Sequence, residues 1–296
     1  KYEALFTQVR RSWLMQLSYL EDDSKYEKFL TALSQQCFIS QYIYNELPEE
    51  TEQIETLETE IASVIANNHE PSCQLLMCLA SYRRLDQYDW SINLKDLTRP
   101  KKIIKTHLEE TEQEFLLKRT IPKLSAVDCG LSCRVLKQYE ENPYPRWIKS
   151  NLPAKSLSFE NWCEKAGIAF RKDYFAPGKT LKVLIAGCGT GRQAISTAKR
   201  FQNCQVEAID LSLTSLSYAK RKTTELGISN INYSQADIMT LANHSSRYDL
   251  IECVGVLHHL KEPEVGWSIL VKLLKDGGLM KVGLYSRSAR KEIRYI

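Results

Sequence analysis

The nine cysteines include no CxxC pair, no histidine spacing completes a metal site, and no apolar run approaches the ~18 residues a membrane-crossing helix needs. These absences exclude a zinc ribbon and a helical membrane protein. They leave the cysteines as small buried hydrophobes and a reducing, cytoplasmic setting as the expectation. Charge of one sign is also scarce, with a net charge of +4 over 296 residues and no dense basic face, so no nucleic-acid partner is expected. The first residue is Lys1, with no basic and apolar leader after it, and the sequence reads as an excised fragment. A length near twice the ~150 residues of an average domain predicts two domains.

Residues 1–125 contain little Gly or Pro and repeat apolar positions at helical spacing, which predicts an all-α helical domain. Over 49–67, Ile54, Leu57, Ile61, Val64 and Ile65 form one stripe, with Glu52, Glu55, Glu58 and Glu60 mostly off it. Residues 26–44 predict a second helix, and Pro71 opens a third that carries Leu75, Leu76, Leu79 and Leu85. A solvated acidic face is the expectation for the Glu-rich side, with a protein-interaction surface as its rival. No 34-residue repeat is found.

Residues 126–180 read as a connector, broken by Gly130, Pro143, Pro145, Pro153, Pro177 and Gly178. Its distinctive piece is Tyr139-Glu140-Glu141-Asn142-Pro143-Tyr144-Pro145-Arg146-Trp147. Two readings compete for Tyr144, Arg146 and Trp147: packing onto the neighbouring domain, or a lid over a ligand pocket with a ring facing a cation.

From 181 to 296 the pattern alternates strand and helix. Strands are predicted at 181–186, 205–209, 231–235, 248–254 and 279–284, with helices at 190–201, 212–226 and 263–274, the last ended by Gly277-Gly278. Such βα alternation implies a doubly wound parallel sheet. The first strand runs into Gly187, Cys188, Gly189, Thr190 and Gly191, a GxGxG loop before a helix. Glycines there let the backbone turn sharply and approach a ligand, and Arg192 stands where a dinucleotide fingerprint needs glycine. Asp210 closes the second strand, where a carboxylate can hold ribose hydroxyls, with Leu211 beside it. Asp237 ends the third, within reach of an adenine amino group, and Ile238 can lie against the ring face. Asp210 read as a helix cap is the rival, although Ser212 caps equally well.

These residues together resemble the class I S-adenosylmethionine-dependent methyltransferases. The resemblance rests on VLIAGCGTG at 183–191, EAID at 207–210, QADI at 235–238, YDLIECVGVLHHL at 248–260 and LLKDGGLMKVGLYS at 273–286. It implies a Rossmann-like sheet, S-adenosyl-L-methionine as cofactor, glycines 187, 189 and 191 at its methionine part, Asp210 on the ribose and Asp237 on the adenine. Two departures stand out: Ile185 occupies a place that is usually acidic in the family, and the chain stops soon after the fifth of seven expected strands. A C-terminally incomplete domain is therefore expected. The NPYPRW segment with a helical region before it is similar to bacterial multidomain chains carrying such a core.

His258 and His259 follow the fourth strand, at the edge where open α/β sheets bind ligands, and either can serve as a base. Cys188 and Cys253 fall on the same edge and join the expected cofactor-binding set as small packing residues, not nucleophiles. The expected function is methyl transfer to a small-molecule or protein acceptor. The rival is a non-catalytic nucleoside-binding protein with a helical interaction module.

Overall fold

The structure is a computed structural model that describes residues 2–17, 26–124, 137, 139–141, 143, 145–170 and 178–286. The chain divides into two compact units, Lys1–Gln113 and Glu114–Ile296.

The first unit is helical, as its apolar spacing predicts. It contains α1 (Tyr2–Gln16), α2 (Glu27–Ile39), α3 (Pro48–Ala66), α4 (Cys73–Ala80) and α5 (Lys101–Ile104), and a π turn leads from α5 into α6 (Glu110–Lys118). The stripe Ile54, Leu57, Ile61 and Ile65 of α3 is buried in the core, while Glu52, Glu55 and Glu60 are exposed. α2 stops short of Tyr44 because Gln41 and Tyr42 turn into the left-handed region (φ 56° and 54°), which no helix can continue through. Two buried charges pin the unit. Glu50 accepts from the Leu47 N–H (2.9 Å), Arg11 Nε (3.0 Å) and the Tyr82 hydroxyl (2.7 Å). Arg10 donates to the carbonyls of Tyr44 and Asn45 and lies 3.9 Å from the centre of the Tyr82 ring.

The second unit is built on five parallel strands, β1 (Leu181–Ala186), β2 (Cys204–Asp210), β3 (Ile231–Gln235), β4 (Tyr248–Val254) and β5 (Leu274–Gly283), in the order β3-β2-β1-β4-β5. The helices are α7 (Phe159–Lys165), α8 (Arg192–Arg200), α9 (Leu213–Glu225) and α10 (Pro263–Lys272). Alternation along the strands separates two cores. Val183, Ile185, Val206, Ala208 and Leu250 pack with α7, α8 and α9, while Leu184, Ala186, Ile209, Ile251 and Cys253 pack with α10. This is the doubly wound, Rossmann-like sheet that the alternating pattern implied.

Two features differ from the sequence-based expectation. Gly277 and Gly278 do not end a helix; they sit inside β5, where the register against β4 shifts between Tyr248 and Leu250. Gly277 has φ +80°, and a Cβ on Gly278 would lie 3.0–3.2 Å from three backbone carbonyls, so the pair marks a bulge where chains run close. The second unit also begins before residue 125. Gln235 N donates to the Pro122 carbonyl (2.8 Å) and Leu124 N to the Gln235 carbonyl (2.9 Å), a bridge that pairs the last residue of β3 on its outer edge.

Glu114 belongs to the same framework. Its buried carboxylate takes Arg221 Nε (2.9 Å) and Arg146 Nη1 (3.3 Å), joining α6 to α9 and to the connector. Removing Glu114 takes away a buried carboxylate shared by two buried guanidiniums, although Arg221 also pairs with Glu225 (3.3 Å). Glu114→Ala is therefore expected to destabilise the second unit by about 3–5 kcal/mol. Glu112→Ala, which breaks a more exposed pair with Lys95, should cost no more than about 1 kcal/mol. Denaturant unfolding of both variants checks the contrast.

Candidate active site

In a parallel sheet that changes direction between β1 and β4, the carboxyl ends of those strands open a crevice. The loop after β1 forms one wall. The Gly187 and Cys188 N–H groups both donate to the Ile209 carbonyl (2.9 Å each), and Gly189 N donates to Asp210 Oδ2 (2.7 Å). Gly187, Gly189 and Gly191 all have positive φ (74°, 51° and 81°), which no other residue type adopts without strain. A Cβ on Gly187 would come within 2.3 Å of the Val256 side chain, so the loop and the turn after β4 meet without room for one.

The crevice has a volume of about 340 Å³. It is walled by residues 187–190, Arg192 and Gln193, by Asp210 and Leu211, by Ala236, Asp237 and Ile238, and by Val254–Val256, His259 and Leu260, with Tyr139, Pro145 and Tyr285 at its margins. The expected residues Gly187, Cys188, Gly189, Asp210, Leu211, Asp237 and Ile238 are thus brought together. Gly191 stands behind the wall as the cap of α8.

Asp210 is not a helix cap; Ser212 performs that role by accepting from Ser215 N. The Asp210 carboxylate accepts from Gly189 N and, through Oδ1, from Ser212 N (3.0 Å). Burial pushes its carboxyl above the usual aspartate range, against the opposing pull of those N–H groups. Asp237 is 3% exposed and accepts from Met239 N (2.9 Å), fixing the turn that presents Ile238. Burial, reinforced by Asp210, raises the Cys188 thiol well above its ordinary value, consistent with packing and not nucleophilic attack.

Three expectations change. Cys253 does not line the crevice: its side chain lies in the α10-facing core, and its neighbours Val254 and Gly255 provide the wall. Of the two histidines, only His259 lines the crevice. The His258 ring is set 4.2 Å from each of the rings of His259 and Tyr285. The lid reading fails for Arg146 and Trp147, which are buried outside the crevice; Tyr144 lies outside the described residues. Trp147 N donates to the Tyr218 hydroxyl (2.9 Å), and its indole Nε1 donates to the Thr190 carbonyl (3.1 Å). Thr190 in turn donates to the Pro145 carbonyl (2.7 Å). The connector therefore braces the glycine loop from behind.

The sequence reading missed Gln193, Tyr139 and Tyr285 as crevice residues. Gln193 was open to discovery because it follows the loop on the first turn of α8. Tyr139 and Tyr285 both fall within runs that the sequence singles out, one in the connector and one at 273–286, but nothing local gives either ring a place in the crevice. Among the described residues no cluster of metal-ligating side chains occurs, and no helix is long and apolar enough to cross a membrane.

A family model described as a methyltransferase domain matches residues 183–278. The chain is 34% identical over 157 residues to an uncharacterised protein of Synechococcus, covering 53% of this chain and 37% of that protein. It is 30% identical over 119 residues to a ubiquinone biosynthesis O-methyltransferase of Paracidovorax citrulli, covering 40% and 49%. A probable (S)-tetrahydroprotoberberine N-methyltransferase of Papaver bracteatum is 32% identical over 112 residues, covering 38% and 28%. The chain thus spans between about a quarter and a half of the length of these relatives. Among solved structures, PKMT2 from Rickettsia typhi in complex with AdoHcy is 25% identical, covering 40% of this chain and 25% of that one, with a TM-score of 0.35.

A second steric requirement beside the crevice is at Gly191, where a Cβ would lie 2.5 Å from the Ala219 Cβ on α9 at φ +81°. Gly191→Ala must both strain the backbone and push α8 from α9. A loss of about 1–3 kcal/mol is expected, measured as a lowered unfolding midpoint.

Proposed function

We propose that this chain, whose residues 183–278 form a methyltransferase domain, binds S-adenosyl-L-methionine in the β1/β4 crevice and presents its methyl group to an acceptor, a small molecule or a protein side chain. The observation that carries this reading is the convergence of Asp210 and Asp237, from the ends of adjacent strands, on the crevice walled by the glycine loop.

The residues suit that cofactor. Asp210 offers a carboxylate to the ribose hydroxyls over β2, Asp237 an acceptor to the adenine amino group over β3, and Leu211 and Ile238 apolar surface to the ring. The open turn Gly187–Gly189 leaves room for the methionine part over β1, and the N–H groups at the start of α8 favour its carboxylate. The cofactor supplies an electrophilic methyl on a sulfonium, transferred by in-line displacement.

The chain's own task is then mostly alignment, since holding two reactants in near-attack geometry can lower a barrier by about 7–11 kcal/mol. His259, on the turn after β4, lines the crevice and is the side chain assigned to take a proton from an oxygen or nitrogen acceptor. The names of the curated relatives, which include O- and N-methyltransferases, support either atom.

Ionised Asp210 is the form that accepts from hydroxyls, so affinity for S-adenosylhomocysteine should fall as pH is lowered through the raised pKa of this carboxyl. The sign for stability is opposite. Folded Asp210 holds its proton more tightly than the unfolded chain does, so stability falls as pH rises through the window between the ordinary and the raised values. Calorimetric titration across that window should give a pH-dependent affinity for wild type, and Asp210→Ala should show little binding at any pH. Labelled methyl transfer into cell lysate should likewise be lost in Asp210→Ala and slowed in His259→Ala. Labelling that survives Asp210→Ala would sink the cofactor assignment, and binding without any transfer would favour a non-catalytic role.

A further inference from the structure

Glu252 lies in the middle of β4, wholly buried and in register with Ile185 on β1. A carboxylate so placed needs donors on every side, and it has them. Oε2 accepts from Gln193 Nε2 (2.9 Å) and Thr197 Oγ1 (2.8 Å), and Oε1 from Arg200 Nη1 (3.2 Å), with Lys281 Nζ 3.9 Å away. Three of these partners project from α8. One of them, Gln193, also lines the crevice.

The chemistry of that contact fixes which way the Gln193 amide faces. A carboxylate only accepts, so the amide must give its NH2 to Glu252, and the carbonyl is the polar end left for a ligand. Around it the crevice offers donors, namely the N–H groups at the start of α8 and the Arg192 guanidinium. A ligand end carrying both a carboxylate and an ammonium therefore finds donors for the one and an acceptor for the other. We propose that the Gln193 carbonyl receives the ammonium of the cofactor's amino-acid tail and that Glu252 is the positioning residue that locks the amide in that orientation. The inference rests on the cofactor reading above and deepens it.

Glu252→Gln tests the lock directly. Arg200 can only donate, so the new amide turns its oxygen to Arg200 and its NH2 to Gln193. Gln193 must then offer its carbonyl inward and its NH2 to the crevice, where an ammonium is repelled. S-adenosylhomocysteine, which carries the ammonium, should bind about tenfold more weakly, and 5′-methylthioadenosine, which lacks the amino-acid tail, should bind as before. Gln193→Ala should give the same selective loss without removing the buried charge. The pair Glu252→Gln with Gln193→Glu restores an acceptor facing the crevice and should recover most of the lost affinity. Calorimetry with both nucleosides on the full chain, with melting curves confirming that each variant folds, reads all four proteins. Equal losses for the two nucleosides, no loss in Glu252→Gln, or no recovery in the double variant would overturn the inference alone. Wild-type protein that binds neither nucleoside would overturn the cofactor reading and this inference with it.

Discussion

The crevice depends on one local tie: the backbone of the glycine loop is bound to the end of β2. The Ile209 carbonyl accepts two N–H groups from the loop, and the Asp210 carboxylate accepts a third. A buried hydrogen bond of this kind contributes only about 1 kcal/mol net, so its importance is geometric more than energetic. It sets where Asp210 can reach and forces positive φ on three successive alternate residues. From the other side, Trp147 and Thr190 hold the loop to the connector. The loop is a rigid wall because it is fastened front and back.

Much of this was legible in the sequence because a parallel sheet brings the carboxyl ends of its strands to a single edge. Gly187, Asp210 and Asp237 each lie at such an end, so chain order alone placed them together. Cys253 and Val254 show where that logic stops. Adjacent residues on a strand face opposite ways, and the one that meets the crevice is decided by strand pairing, which sequence spacing near a strand end cannot fix. Glu252 was opaque because its partners Gln193, Thr197 and Arg200 come from α8, 52 to 59 residues earlier. Packing was the favoured reading for Trp147, but a lid stayed open beside it because its partner, the Tyr218 hydroxyl, lies 71 residues away. The Gly277-Gly278 pair misled in another way: glycine ends helices and permits bulges for the same conformational reason, and only the β4 register distinguishes them.

The buried acids of the second unit divide a single problem among themselves. Asp249, at the start of β4, accepts from Lys182 N and from Lys275 Nζ (2.8 Å each), tying the bases of β1 and β5 to β4. Glu114 joins α6, α9 and the connector. Glu252 joins β4 to α8, and Asp210 joins β2 to the loop. Glu114, Asp249 and Glu252 are buried and Asp210 partly so, and each meets donors from more than one element, so no element can shift without stranding a charge. Apolar packing would hold the same layers together with less cost, but it would tolerate sliding by a rotamer. The alignment that the proposed function asks of this domain gains from bonds that do not slide. Among these four acids, Asp210 and Glu252 are the two whose partners, Gly189 and Gln193, are residues of the crevice wall, so the framework that fixes the fold ends at the crevice.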